Sequence, residues 1–170
     1  MPQITVRLTW HEVVLAAQVG MRRHVEALRD ARPDANGRSD DDGWTAHVEG
    51  ACGELAVAKV LDVYWQPSVN TFKRGGDVGL YQVRTRSRAT YELIVREDDD
   101  DDATFILVRG RSPQFSVVGW IRGADAKRLD WLQTHGDRPA AYFVPDAALS
   151  PMGLLRPEAR VEARFAQAGR

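Results

Sequence analysis

The stretch from Trp44 to Asp62 constrains the chain most, because it is a helix-forming run with one small, apolar face interrupted by a carboxylate. Offsets of three, four and seven residues place Gly50, Ala51, Val57, Ala58 and Leu61 on the same face as Glu54. Glycine inside a helix costs about 1 kcal/mol relative to alanine. Gly50 and Gly53 therefore point to a helix, running from near Thr45 to about Asp62, that approaches a sheet closely. A carboxylate on such a face needs a cation, a metal ion or hydrogen-bond donors to offset its desolvation. Metal ligation and pairing with an arginine such as Arg84 both meet that need. Glu49 lies about 140° away on the same wheel and is the weaker candidate.

Downstream, Val63 to Asn70 offers a short strand ending at Pro67, and Thr71 to Gly76 is a basic, glycine-rich turn leading into Asp77. Val78 to Thr85 is β-prone, with Gln82 and Arg84 on one face and Val83 on the other. Asp77 and Gln82 converge if the chain bends at Gly79. Taken alone, Asp77 reads as a turn aspartate that stabilises its own backbone.

A Gly-Glu pair on a helix, a Gly-Asp turn and a short strand carrying Gln82-Val83-Arg84, in that order, resemble the PD-(D/E)XK nucleases, in particular members from phages and bacteria. The resemblance covers Trp44 to Thr85 and, more loosely, the chain through Gly123. It implies an α/β fold with a restriction-endonuclease-like mixed sheet flanked by helices and a metal site where two strands diverge. By position Glu54 matches the helix acid, Asp77 the motif aspartate, Gln82 the acidic residue of E-x-K and Arg84 its lysine. The resemblance thus makes Glu54, Asp77, Gln82 and the Val83 carbonyl the ligands of Mg²⁺ or Mn²⁺, and Glu54, Asp77, Gln82 and Arg84 the catalytic set. Such a metal polarises a scissile phosphate and lowers the pKa of its water. Gln82 removes one negative charge from that set, and Arg84 is a poor proton acceptor.

The resulting expectation is a metal-dependent DNA nuclease. The alternatives are a catalytically degenerate nuclease fold that holds DNA or a protein partner, and a small inhibitor that uses Asp98 to Asp102 as a DNA-like surface. A net charge of −1 gives no bulk attraction to nucleic acid. A local basic face of Lys73, Arg74, Arg86 and Arg88 does provide one. Arg22, Arg23 and Arg29 lie on a first helix and read mainly as a solvated face.

That first helix follows a strand over Gln3 to Leu8, where Ile4, Val6 and Leu8 alternate with polar residues. Thr9-Trp10-His11-Glu12 has the form of a capping box, and apolar residues from Val13 to Leu28 recur at helical spacing to about Arg29. Ala31 to Gly43 has the composition of a connector. We expect three regions: an N-terminal extension of strand, helix and connector over 1–43, a nuclease-like core over 44–150, and a tail or helix over 151–170.

Beyond Thr85, Tyr91 to Arg96, Thr104 to Val108, Phe115 to Ile121 and Ala140 to Val144 read as strands. Ala124 to Leu132 reads as a short helix and Asp146 to Leu149 as one helical turn. Glu97 to Asp102 reads as a solvated acidic turn. Trp131, Tyr142 and Phe143 are expected to pack rather than stack on bases.

With 170 residues and 44% hydrophobic composition, one domain is expected. No run approaches the roughly 18 apolar residues of a membrane span, and the N-terminus lacks a basic-then-apolar signal. A cytoplasmic protein of a bacterial or phage-infected cell is therefore expected, without a membrane partner. Cys52 has no Cys or His partners at zinc spacing and reads as a core residue.

Overall fold

A computed structural model describes residues 3–30, 40–69, 75–136 and 138–155. The chain forms β1 (Ile4–Arg7), α1 (Trp10–Arg29), α2 (Asp40–Leu61), β2 (Tyr81–Arg86), β3 (Leu93–Arg96), β4 (Thr104–Arg111) and β5 (Gln114–Arg122). These are followed by the short α3 (Gly123–Ala126), β6 (Leu132–Gln133) and β7 (Ala141–Val144), with single 3-10 turns at Leu129–Trp131, Asp146–Ala148 and Met152–Leu154.

A mixed sheet in the order β1-β5-β4-β2 is joined by a smaller antiparallel sheet in the order β3-β7-β6. In the larger sheet β2 runs parallel to β4, while β4 pairs antiparallel with β5 and β5 with β1. Side chains alternate across β4. Ile106 and Val108 join Val6, Val83, Phe115 and Val117 in a core shared with α1 and α2, and Phe105 and Leu107 join Leu93, Val95, Val118 and Val144 in a second core. The long helices thus cover one face of the mixed sheet, and the three-stranded sheet covers the other. The chain is mixed α/β with a mixed sheet and flanking helices, as expected, and its layers run helix on sheet on sheet.

The N-terminal strand and helix are not an extension. β1 is hydrogen-bonded along β5, and Ala16 and Val19 of α1 lie in the same core as Ala51 and Ala56 of α2. α1 is buried through Ala16, Val19, Gly20 and His24, whereas Val14, Met21, Val25 and Leu28 of its expected apolar stripe stay exposed. The capping box forms as the sequence predicts: Glu12 N donates to Thr9 Oγ1 at 3.3 Å and Thr9 N to Glu12 Oε2 at 2.6 Å. At the other end of the chain, buried Met152 joins the first core, so the described part of the 151–170 tail is also packed. The helix or tail expected from Glu158 to Arg170 lies outside the described residues.

α2 starts earlier than the composition of Ala31 to Gly43 suggests, since Asp40 is already helical. It stops where Asp62 turns to φ 53° and Val63 N reaches back to Ala58 O at 3.0 Å, a left-handed terminus that closes the last turn. The strand expected from Val63 does not form over Val63–Val69. Buried Trp65 and the Ser68 carbonyl are instead bonded by side chains of α2 and α1. The expected helix at Ala124 to Leu132 splits into α3 and a separate 3-10 turn. Among the described residues, no helix is long and apolar enough to cross a membrane.

The crossing of α1 and α2 depends on Gly20. A Cβ there would lie 2.6 Å from both His47 O and Val48 Cα, and backbone cannot swing aside as a side-chain tip can. Gly20→Ala should therefore lower stability by about 1–3 kcal/mol through forced separation of the helices. Urea unfolding measures this directly, and an unchanged midpoint would show that the helices do not rely on this close approach.

Candidate functional site

Glu54 is 5% exposed and sits on the α2 face turned toward the first core. The helical wheel correctly places this carboxylate inside, but its counterion is Arg23 of α1 rather than Arg84. Arg23 Nη1 and Nη2 donate to the two carboxylate oxygens at 2.5 and 2.9 Å, while Arg23 Nε donates to Ser68 O at 2.9 Å. Trp65 Nε1 adds a third donor to Glu54 at 3.2 Å. A planar guanidinium suits this bidentate geometry. Burial pushes the Glu54 carboxyl above its ordinary range, the hydrogen bonds and charge of Arg23 pull it back, and Asp77 adds to the rise.

Asp77 is placed by a tight loop. Gly76 N donates to Gly79 O, Val78 and Tyr81 exchange backbone hydrogen bonds, and Gly79 adopts φ 62°. The bend expected at Gly79 is therefore present, at a position where a residue with a Cβ would be disfavoured. A Cβ at Gly76 would meet the backbone of Leu80 and Tyr81 at 2.4 Å, so the loop closes only with glycine there. Asp77 Oδ2 accepts from Val83 N at 2.7 Å. Among the described residues β2 is the last strand of its sheet, and Asp77 binds an amide on its outer side, away from β4. The carbonyl of an extended residue points to the same side as its own N–H, so the Val83 carbonyl also faces that edge. Burial raises the Asp77 pKa, the Val83 amide and the charges of Arg84 and Arg23 lower it, and Asp99 adds to the rise.

Gln82 and Arg84 share the face of β2 opposite Tyr81 and Val83, as the strand period predicts. They do not converge with Glu54. Gln82 Nε2 donates to Gly75 O at 3.3 Å, which is the loop's own backbone. Arg84 lies 4.9 Å above the Phe105 ring and donates to both oxygens of Asp99 at 2.8 and 3.0 Å. Asp77 at the strand edge therefore stands between two ion pairs, Arg23 with Glu54 on the helix side and Arg84 with Asp99 on the other.

Two members of this arrangement escape the sequence reading. Arg23 reads there as part of a solvated helix face, and Asp99 as part of a solvated turn. Asp99 also accepts Arg96 N at 2.8 Å, and its neighbours are neutralised as well: Lys127 bonds the carbonyls of Glu97 and Asp99 and pairs with Asp101, and Arg122 pairs with Asp102. Three of the five aspartates thus have cation partners, while all but Asp99 stay exposed, as expected of a solvated turn.

The fit of a divalent metal can be judged from these donors. Mg²⁺ needs carboxylate oxygens with lone pairs to spare. Both Glu54 oxygens accept from Arg23, whose charge stands where a cation would bind, and Gln82 is held on the Gly75 loop without converging on Glu54. Among the described residues, no three His, Cys, Asp or Glu side chains are grouped to hold a metal ion. In this arrangement the set Glu54, Asp77, Gln82 and Val83 does not fit Mg²⁺ or Mn²⁺.

Of the expected nucleic-acid contacts, Lys73 and Arg74 lie outside the described residues. Arg86 and Arg88 both stack on Tyr91, with guanidinium carbons 4.9 and 5.3 Å from the ring centre. Beside them is a groove of about 620 Å³ between β2 and the smaller sheet, lined by Arg84, Arg86, Arg96 and Arg138, with Tyr91 and Phe143 among its walls. Among the described residues, Glu92 is the one acidic residue of its lining. Phe143 is only partly buried and packs edge-on against His135 at 4.7 Å, so it serves the groove wall as well as the fold. A comparison of the chain with models of known families, with curated proteins and with solved structures finds no match.

Proposed function

We propose that this chain is a nuclease-like protein that binds nucleic acid along the outer edge of β2 without cutting it. The observation that carries the reading is the groove, where four arginines and two aromatic rings line one concavity beside the Asp77 loop. Guanidinium groups suit phosphate through their planar fork, and the partly exposed rings of Tyr91 and Phe143 add aromatic surface for base contacts. Restriction-endonuclease-like architecture is part of this proposal, supported by the order of the Glu54 helix, the Asp77 turn and the β2 strand. Absence of cleavage is supported by the bonding of Glu54 to Arg23.

The competing reading is metal-dependent DNA cleavage. It is favoured by Asp77 and the Val83 carbonyl facing the same open edge. Fluorescence anisotropy with labelled DNA, followed by incubation of the complex with Mg²⁺ or Mn²⁺, separates the two. Binding should weaken with salt, and Arg138→Ala and Arg88→Ala should each weaken it and reduce the salt slope by about 1. Salt-independent binding, or binding indifferent to both substitutions, would remove the groove from the proposal. Cleavage lost in Asp77→Ala would establish the nuclease reading instead.

A further inference from the structure

We propose that Arg23 occupies the cation position of a carboxylate pair, Glu54 and Asp77, and thereby closes to divalent metal a site whose acidic groups the chain retains. Arg23 reaches Glu54 from a different helix, with both terminal nitrogens on the two carboxylate oxygens and its Nε fixed on the Ser68 carbonyl. Three donors in one plane are thus held by three acceptors, which leaves the guanidinium little freedom to turn away. Glu54 is further tied by Trp65. The side chain of Arg23 is 18% exposed and that of Glu54 7%, so water offers little competing solvation.

The charge balance leads to the same conclusion. A buried carboxylate with the half-buried Asp77 carboxyl close enough to raise its pKa needs positive charge beside it, and a hard divalent cation or a guanidinium can provide it. Arg84 is not available for this role, since Asp99 takes it on the other face of β2. Arg23 faces Glu54 directly and Asp77 at longer range. A metal at Glu54 would meet the guanidinium charge, with Arg23 and Trp65 already filling most of the acceptor sites of the carboxylate, so it would have to displace Arg23. The inference rests on the bonding of Glu54 and is independent of nucleic-acid binding, so loss of the groove reading leaves it standing.

The test uses Mn²⁺ alone with the full chain, reading free Mn²⁺ by electron paramagnetic resonance. Wild type and Glu54→Gln should bind Mn²⁺ equally, since Glu54 is closed in the native protein. Arg23→Gln, which keeps length and polarity but removes the charge, should bind at least about tenfold more tightly than wild type. Adding Asp77→Asn to it should abolish the gain. Should Arg23→Gln be unfolded, Mn²⁺ should restore its circular dichroism, and failure to do so would overturn the proposal. It would equally be overturned if wild type bound Mn²⁺ more tightly than Glu54→Gln, or if folded Arg23→Gln showed no gain.

Discussion

Arg23→Ala should destabilise the protein by about 3–5 kcal/mol at neutral pH, because it leaves the Glu54 carboxylate buried without its counterion. The loss should exceed that of any exposed pair, such as Arg122 with Asp102, where solvent screening leaves about 0–1 kcal/mol. The effect has a pH signature. Burial already raises the folded-state pKa of Glu54 above its ordinary 4.5, despite Arg23. A raised carboxyl pKa means the native state holds its proton more tightly than the unfolded chain. The stability linked to that proton is full below about pH 4.5 and falls as pH rises through the folded value. Without Arg23 the folded value rises further, so the penalty should be largest at neutral pH and shrink on acidification. Urea unfolding of wild type, Arg23→Ala and the Arg23→Ala, Glu54→Gln double variant across that range tests the account. A penalty that is independent of pH, or that Glu54→Gln leaves unrelieved, would refute it.

Local rules made part of this site legible. The capping box at Thr9, the inward face of α2 at Glu54, the bend at Gly79 and the shared face of Gln82 and Arg84 all follow from spacing within a few residues. The partners were not legible, because they are set by packing between distant segments. Arg23 and Glu54 are separated by 31 positions, and nothing in the spacing of α1 distinguishes Arg23 from Arg22. Asp99 is likewise hidden in a run of identical residues, of which only the fold turns one toward Arg84. One sign was present: a single buried carboxylate on a small-residue face demands a counterion, and a preceding amphipathic helix with arginines is one place to look for it. The small sheet was missed as a layer for a related reason. Short apolar strands show that a face is buried but not what covers it.

Phe105→Ala should cost about 3–5 kcal/mol by emptying a well-packed part of the second core. Phe105 is 1% exposed, and its position on β4 sets it between the mixed sheet and the three-stranded sheet. Phe105→Leu keeps more of the buried volume and should cost less. The same ring carries Arg84, whose guanidinium carbon lies 4.9 Å from its centre. Removing the ring therefore withdraws a cation–π contact of about 0.5–1 kcal/mol and frees the side chain that borders the groove. Core and proposed interface are coupled at this one residue. In a double-mutant cycle, Phe105→Ala and Arg84→Ala should destabilise the protein by less than the sum of their separate effects, since each alone already loses the shared contact. DNA binding, where the protein remains folded, should fall in Phe105→Ala more than in a core truncation remote from the groove, such as Val117→Ala. Additive stabilities together with equal binding in the two truncations would show that the ring supports the fold alone and does not position Arg84.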